Sequence, residues 1–372
     1  MKRHAAMPPS AVPGRSAPRR ARGIAMVLVM LLMVMTVLLS AEIMERLEQD
    51  RVRTANLLVL EQSWAYLLSA EAMGIRALGT DLEEDRKDGK EVDACSEESW
   101  AMRLGPLPWD NGIFSLSIQD LQGRLNINNL ASTKDGERVL DRLQVERLKR
   151  LLQPLLSSEH QDAATALAEE AADWTDANTL VDGLGGAEDT EYEQWRTGNT
   201  VFAEVSELRA LRASKPALWR AADDKPLFSR YITALPEGTR VNVNTAPAEV
   251  LQALVAGLDS GKIDAILAAR KGGALDSIEE VMALPELAAL GANEKKELQN
   301  ALAVNSEYFQ IMSEVSIDGR TLRLVSDVYR PRAGGQPRVI RRDLGQAFAA
   351  PEEACNPGAS EEKENQATET AP

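Results

Sequence analysis

Gly23-Ile24-Ala25-Met26-Val27-Leu28-Val29-Met30-Leu31-Leu32-Met33-Val34-Met35-Thr36-Val37-Leu38-Leu39-Ser40-Ala41 carries no charged residue. At about 1.5 Å per residue, a helix from Ile24 to Ala41 is roughly 27 Å long, close to the hydrocarbon thickness of a bilayer. Lys2, Arg3, Arg15, Arg19, Arg20 and Arg22 precede it with no acidic residue among them. That asymmetry holds the N-terminus on the cytoplasmic side and exports the rest. The apolar pattern continues as an amphipathic stripe through Ile43, Leu47, Ala55, Leu58, Tyr66 and Leu67, so one helix is expected from Ile24 to about Leu78. Three readings of the segment stand: a permanent anchor, a secretory signal cut after Leu39-Ser40-Ala41, and a segment cut on its cytoplasmic side after Gly23.

The 372-residue chain has a formal charge of −15, and the part after Gly23, without the six basic leader residues, carries −21. So acidic a body argues against nucleic acid as a partner and suits a solvated, export-side protein that tolerates calcium. The length suffices for about two domains with proper cores. Low aromatic content with abundant Ala and Leu favours helix. Cys95 and Cys355 are the only cysteines, and whether they pair stays open. Chemistry of the usual catalytic kinds has little to build on. His4 lies in the leader, His160 sits among polar residues, and no nucleophile motif, phosphate loop or cysteine cluster occurs. An enzyme is not expected.

Strand patterns fall in two places. Ile113 to Gln119 alternates, a turn follows at Asp120 to Gly123, and Leu125 to Asn128 is expected to return as a hairpin. Leu104-Gly-Pro-Leu-Pro-Trp109 reads as a break. Downstream, Tyr308 to Ile317 and Thr321 to Tyr329 flank Asp318-Gly319, a strong hairpin signal, and Val339 to Arg342 adds a short strand. Between them helices are expected over Val139–Leu156, Gln161–Asp173, Ala248–Val255 and Ile263–Arg270. The fold class that follows is α+β: a long N-terminal transmembrane helix, a helix-plus-antiparallel-sheet domain, and a large all-helical insertion.

The expected division is a basic leader (1–23), the membrane part of the helix (24–41), an α+β domain (42–129 and 305–345), a first helical subdomain (130–241), a second (242–304), and an acidic tail without periodicity (346–372). Asn126-Ile-Asn-Asn129 and Asn242-Val-Asn-Thr245 echo each other, each before a helical stretch that Asn or Thr can cap. The second subdomain resembles a helix-hairpin-helix module around Gly257-Leu-Asp-Ser-Gly261. Nucleic-acid-binding versions present backbone amides and basic residues to phosphate. Here Asp259 centres the hairpin and residues 242–304 carry a net charge of −4. An exported or membrane-tethered nucleic-acid-binding protein is the rival reading.

Asp173 to Glu193 is the candidate site. Asp173, Asp176, Asn178, Asp182, Glu188, Asp189, Glu191 and Glu193 are interleaved with Gly183, Gly185 and Gly186. Hard oxygen donors on a loop that folds back on itself are what calcium requires. The spacing is not that of an EF-hand.

Arg22-Gly23 followed by Ile24-Ala25-Met26-Val27-Leu28 resembles the prepilin peptidase site of type IV pilins and pseudopilins. Most members carry glutamate at the fifth mature position; here it is Leu28. An unpaired carboxylate in hydrocarbon is costly, so a subunit lacking one suits a place with no neighbour to pair with, the tip of a fibre. With Asp120-Leu-Gln-Gly-Arg-Leu-Asn-Ile-Asn-Asn-Leu130, Trp174-Thr-Asp-Ala-Asn178, Gly186-Ala-Glu-Asp189 and Asn242-Val-Asn-Thr-Ala-Pro247, the chain from Gly23 to about Leu344 looks like the K-type minor pseudopilins of type II secretion systems.

That resemblance implies cleavage at Gly23 and methylation of Ile24 by the prepilin peptidase, an inner-membrane helix, and a periplasmic pilin-like domain. It implies a tip complex with I-type and J-type minor pseudopilins above a shaft of major pseudopilin, serving export of folded proteins. It associates the acidic loop with calcium, carried over to Asp176, Asn178, Glu188 and Asp189. Asn178 stands where the family pattern usually has a second aspartate, and Val181-Asp-Gly-Leu-Gly185 replaces a more Pro-rich run.

Overall fold

The structure, a computed structural model, describes residues 21–95, 98–109, 112–156, 160–193, 195–215, 219 and 227–344. The expected tail, Cys355 and most of the leader lie outside them. Helix α1 runs from Ala21 to Asp88, past the Leu78 expected. The chain divides into two compact units, residues 1–62 and 63–372. In the first, Ile24 to Leu39 expose their aliphatic side chains. Its length and composition suffice to cross a membrane.

In the second unit, β1 (Leu104–Trp109) and β2 (Gly112–Asp120) follow α1. They pair antiparallel, Leu107 opposite Phe114. The expected hairpin from β2 to Leu125–Asn128 is therefore corrected: the partner of β2 lies before it, and the proline-containing stretch read as a break is a strand. A two-proline strand is tolerable there because β1 is the sheet edge, where a missing N–H costs little.

The insertion begins with β3 (Leu125–Asn126), then the β4 (Ala131–Lys134) and β5 (Glu137–Leu140) hairpin. Next come α2 (Arg142–Leu155), α3 (Gln161–Thr175), α4 (Leu227–Tyr231) and β6 (Ile232–Thr233). Helix α2 starts later than expected because Asp141 caps it, accepting from Leu143 N–H, and the β-branched Val139 before it extends into β5. The second half holds β7 (Val241–Asn242), α5 (Ala248–Leu254), α6 (Ser260–Lys271), α7 (Ile278–Met282), α8 (Ala292–Ala301) and β8 (Leu302–Ala303). So the insertion adds small strand pairings to its helices: β3 lies parallel to β6, and β7 to β8. Both halves feed one apolar core, from Leu125 and Leu148 to Leu254, Leu298 and Leu302. Arg147, buried, ties them by donating to the Leu254 carbonyl at 2.8 Å and the Glu297 carbonyl at 3.1 Å.

Strands β9 (Tyr308–Ile317), β10 (Arg320–Tyr329) and β11 (Arg338–Asp343) complete an antiparallel sheet of order β1-β2-β9-β10-β11. The Asp318-Gly319 turn forms as expected, with both φ positive at 50° and 74°, the combination a right-handed strand twist favours. Ala70 and Leu78 of α1 pack on Leu116, Ile118, Phe309, Ile311 and Val328. At Gly74 a Cβ would overlap Ile311, so glycine sets the close approach of helix to sheet.

The insertion leaves β2 at Asp120 and returns at Ser306, where a buried polar knot fastens it. Asp120 Oδ2 accepts from Asn242 Nδ2 (2.9 Å), Thr245 Oγ1 (2.6 Å) and Ser306 Oγ (2.6 Å). Beside it Arg330, 1 % exposed, donates to Asp81 of α1 at 2.9 Å, to Asp93 and to the Ser306 carbonyl. Four accepted hydrogen bonds, counting Gln122 N–H, make a buried Asp120 tolerable.

Candidate metal centre

The last turn of α3 builds the site. Ala164, Leu167, Ala168, Ala171 and Ala172 bury one face of the helix, which fixes Asp173 and Asp176, three residues apart, at its C-terminal end. The chain then turns: Asn178 Oδ1 accepts from Leu180 N–H at 2.7 Å and its amide donates to Asp176. Asp173 Oδ1 accepts from Asp182 N–H at 3.1 Å, pulling the loop back over the helix. Gly186 passes so close that a Cβ would overlap Asp173 Oδ2 and the Asp182 carbonyl. Its bare backbone is a requirement of the site. Glu188 follows, buried, accepting from Thr197 Oγ1 at 3.0 Å. The outer wall is aromatic: Trp174 stacks on Phe202 at 6.1 Å and meets Tyr192 edge-on at 6.2 Å.

Three acids are thus fully or almost fully buried, Asp173 and Asp176 at 0 % and Glu188 at 2 % exposure. Each has one oxygen, Asp173 Oδ2, Asp176 Oδ1 and Glu188 Oε1, with no donor among the described residues. Burial first, then repulsion from Glu188 and Asp176, pushes the Asp173 carboxyl up to about 7. Burial, Glu188 and Asp182 push Asp176 up to about 6. Glu188 is raised by burial and by Asp189. Buried carboxylates that repel one another and lack donors are a costly arrangement unless a proton or a cation neutralises them. The donor set is all oxygen, as a hard divalent ion requires.

Of the residues expected to bind metal, Asp176 and Glu188 meet this description. Asn178 and Asp189 do not: Asn178 is exposed and serves the turn, and Asp189, exposed, accepts from Thr197 N–H and Oγ1 at 3.0 and 2.8 Å. Asp173 is the residue sequence reasoning left out of the set. Its signal was the i, i+3 spacing to Asp176 at the end of a helix. Gly23, Ile24 and Leu28 all lie in the exposed apolar part of α1, Ile24 and Leu28 at 70 % and 57 % exposure.

In the second half of the insertion, α5 and α6 form the expected helix pair. Asp259 fills the N-terminus of α6, accepting from Lys262 N–H at 3.0 Å while Lys262 Nζ pairs with it. One of the amides a phosphate would need is taken by the chain's own carboxylate.

A long apolar N-terminal helix, an antiparallel sheet and a helical insertion with an acidic loop define a pilin-type subunit with an enlarged head. Two family models match, both described as type II secretion system (T2SS), protein K, over residues 123–237 and 241–305. Type II secretion system protein K of Pseudomonas aeruginosa is 32 % identical over 333 residues, 88 % of this chain and 94 % of that protein. The Aeromonas hydrophila protein of that name is 31 % identical over 260 residues, 66 % of this chain and 75 % of its own. Among solved structures, a chain of the GspK-GspI-GspJ complex from the enterotoxigenic Escherichia coli type 2 secretion system matches with a TM-score of 0.65 at 25 % identity, over 79 % of this chain and all of that one. The chain belongs to the type II secretion system protein K family, the minor pseudopilins of that apparatus.

Proposed function

We propose that this protein caps the tip of a periplasmic pseudopilus and starts its assembly together with I-type and J-type minor pseudopilins, without enzymatic activity of its own. The observation that carries the reading is Leu28, an aliphatic residue in the exposed apolar part of α1 where shaft subunits need a carboxylate to pair with a neighbour's amine. A subunit without that group is stable where no neighbour sits above it. The match to a chain crystallised with GspI and GspJ supports those partner types. In this reading the prepilin peptidase cuts after Gly23 and methylates Ile24, α1 anchors the precursor in the inner membrane, and the head lies in the periplasm. The insertion is too bulky for the shaft, which is built of major pseudopilin.

Calcium belongs to the same reading. Asp173, Asp176 and Glu188 would hold it through their orphaned oxygens, and it would supply the positive charge that lets α3 and the 182–188 loop stay folded together.

The test is mass spectrometry of the N-terminal peptide of protein purified from its native membrane. A methylated N-terminus at Ile24 is expected. A start at Glu42 would make the chain a secreted protein and remove the assembly role.

A further inference from the structure

The last turns of α1 and the described residues of the connector that follows it, 89–95 and 98–103, meet in an ion network in which acids outnumber cations among the described residues. Asp81 and Asp85 lie one turn apart on α1, and Asp93 and Glu98 come from the connector. Oxygens of Asp81, Asp85 and Glu98 all lie within 4.8 Å of one another. The guanidinium inside the network is that of Arg330, spent on Asp81 and Asp93. Asp85 Oδ2 is buried without a donor among the described residues. Glu98 and Asp81 are near enough for one carboxyl to donate to the other. Two carboxylates are acceptors only, so a hydrogen bond between two carboxyl groups needs a proton between them.

We propose that Glu98 keeps its proton and directs it at the Asp81 carboxylate, and that this proton is an acid-fastened latch holding the connector against the end of α1. The latch closes on a structural seam. Between Asp93 and Glu98 lies Cys95, which is disulfide-bonded, and Trp100 beyond it packs edge-on against Phe309 at 5.1 Å, on whose ring the Arg330 guanidinium sits at 4.5 Å. Without the proton, Asp81 and Glu98 repel across the seam.

The surrounding charges favour that proton. Asp81, Asp85 and Asp93 all face Glu98. Asp88 and Glu91 face Asp85, and Asp120 at the end of β2 faces Asp93. Opposing them are Arg330 and, at the rim, Arg86 and Arg332, which are occupied by Glu91. Burial and these like charges hold Glu98 well above the ordinary carboxylate range. The sign follows. A carboxyl raised on folding contributes stability that is complete below its unfolded value and is lost as pH rises through the folded one, so the latch tightens in acid and loosens in base.

The test uses the full chain in detergent with saturating calcium. Glutamate labelled with carbon-13 at the side-chain carboxyl should give a carboxylic-acid carbonyl band in infrared spectra at neutral pH that Glu98→Gln removes. The melting temperature of the wild type should fall between about pH 5 and about pH 9 more steeply than that of Glu98→Gln, by the slope of one proton. If Glu98→Gln does not accumulate, Asp85→Asn serves instead. Removing one like charge should move the disappearance of the band to lower pH. No Glu98 band at neutral pH, equal slopes in the two proteins, or an unmoved titration in Asp85→Asn would overturn the latch. So would a band that divalent cations abolish, since a metal would then stand where the proton is proposed.

Discussion

Asn128 and Asn244 make the same three hydrogen bonds in the two halves of the insertion. Asn128 accepts from Phe202 N–H at 2.7 Å and donates to the Phe202 and Leu235 carbonyls at 2.9 and 3.0 Å. Asn244 accepts from Leu275 N–H at 2.9 Å and donates to the Leu275 and Val304 carbonyls at 3.1 and 3.5 Å. Two residues upstream, Asn126 and Asn242 accept from the N–H groups of Asn128 and Asn244. In both halves an incoming strand pairs in parallel with a returning one, and a buried asparagine clips a middle segment to that return. One supersecondary unit is used twice.

Asn128→Ala and Asn244→Ala should each destabilise the protein by about 2–4 kcal/mol, since each leaves buried backbone groups of two segments without partners. Denaturant unfolding of the full chain in detergent measures this. Asn129→Ala, at a more exposed position, should cost less.

Removing calcium should lower the melting temperature, and at about a hundredfold excess over its dissociation constant the ion should stabilise by about 2.7 kcal/mol. Asp173→Asn should abolish the chelator effect and Asp189→Asn should leave it. Gly186→Ala should weaken calcium binding in equilibrium dialysis, because its methyl group would intrude on Asp173. A melting temperature indifferent to chelation would remove the metal from this loop.

Arg330→Met should cost about 3–5 kcal/mol at neutral pH by leaving Asp81 and Asp93 buried without their cation. Even with Arg330 present, burial pushes Asp93 up to about 7. Without it Asp93 folds best protonated, so the loss should shrink as pH falls from about 7 to about 5. A pH series of unfolding midpoints for variant and wild type checks the sign.

Leu28→Glu should lower the number of fibres initiated, because it puts an unpaired carboxylate into hydrocarbon at about 2.5–3.5 kcal/mol. Fibre counts by electron microscopy in cells carrying the variant decide this. An unchanged count would leave Leu28 without a role.

Features whose partners lie close in sequence were legible from the residues. The Asp318-Gly319 hairpin and α6, capped by Asp259, are of that kind. Long-range partners were not. Helix α1 was expected to end near Leu78 because the stretch from Asp81 onward is charged and contains glycine, yet Asp81 is buried against Arg330, the residue just past β10. Leu125-Asn126 looked like the return of a hairpin, while its partner, Ile232-Thr233, arrives only after the first half of the insertion is complete. In the acidic loop, residue type singled out the stretch that holds the buried acids Asp173, Asp176 and Glu188. Which carboxylates turn inward depended on backbone hydrogen bonds such as Asp182 N–H to Asp173, which no spacing rule supplies.

Asp120 and Phe309 stand directly opposite each other in the β2–β9 register. Everything from Leu121 to Glu307 therefore leaves and re-enters the sheet at adjacent backbones, like a bracket bolted between two neighbouring rungs. Such a mount transmits no demand for length or shape to the strands below. The head could be exchanged for another folded module, or shrunk to a tight turn, with the sheet register unchanged, provided Asp120 is replaced once its partners at Asn242, Thr245 and Ser306 are gone.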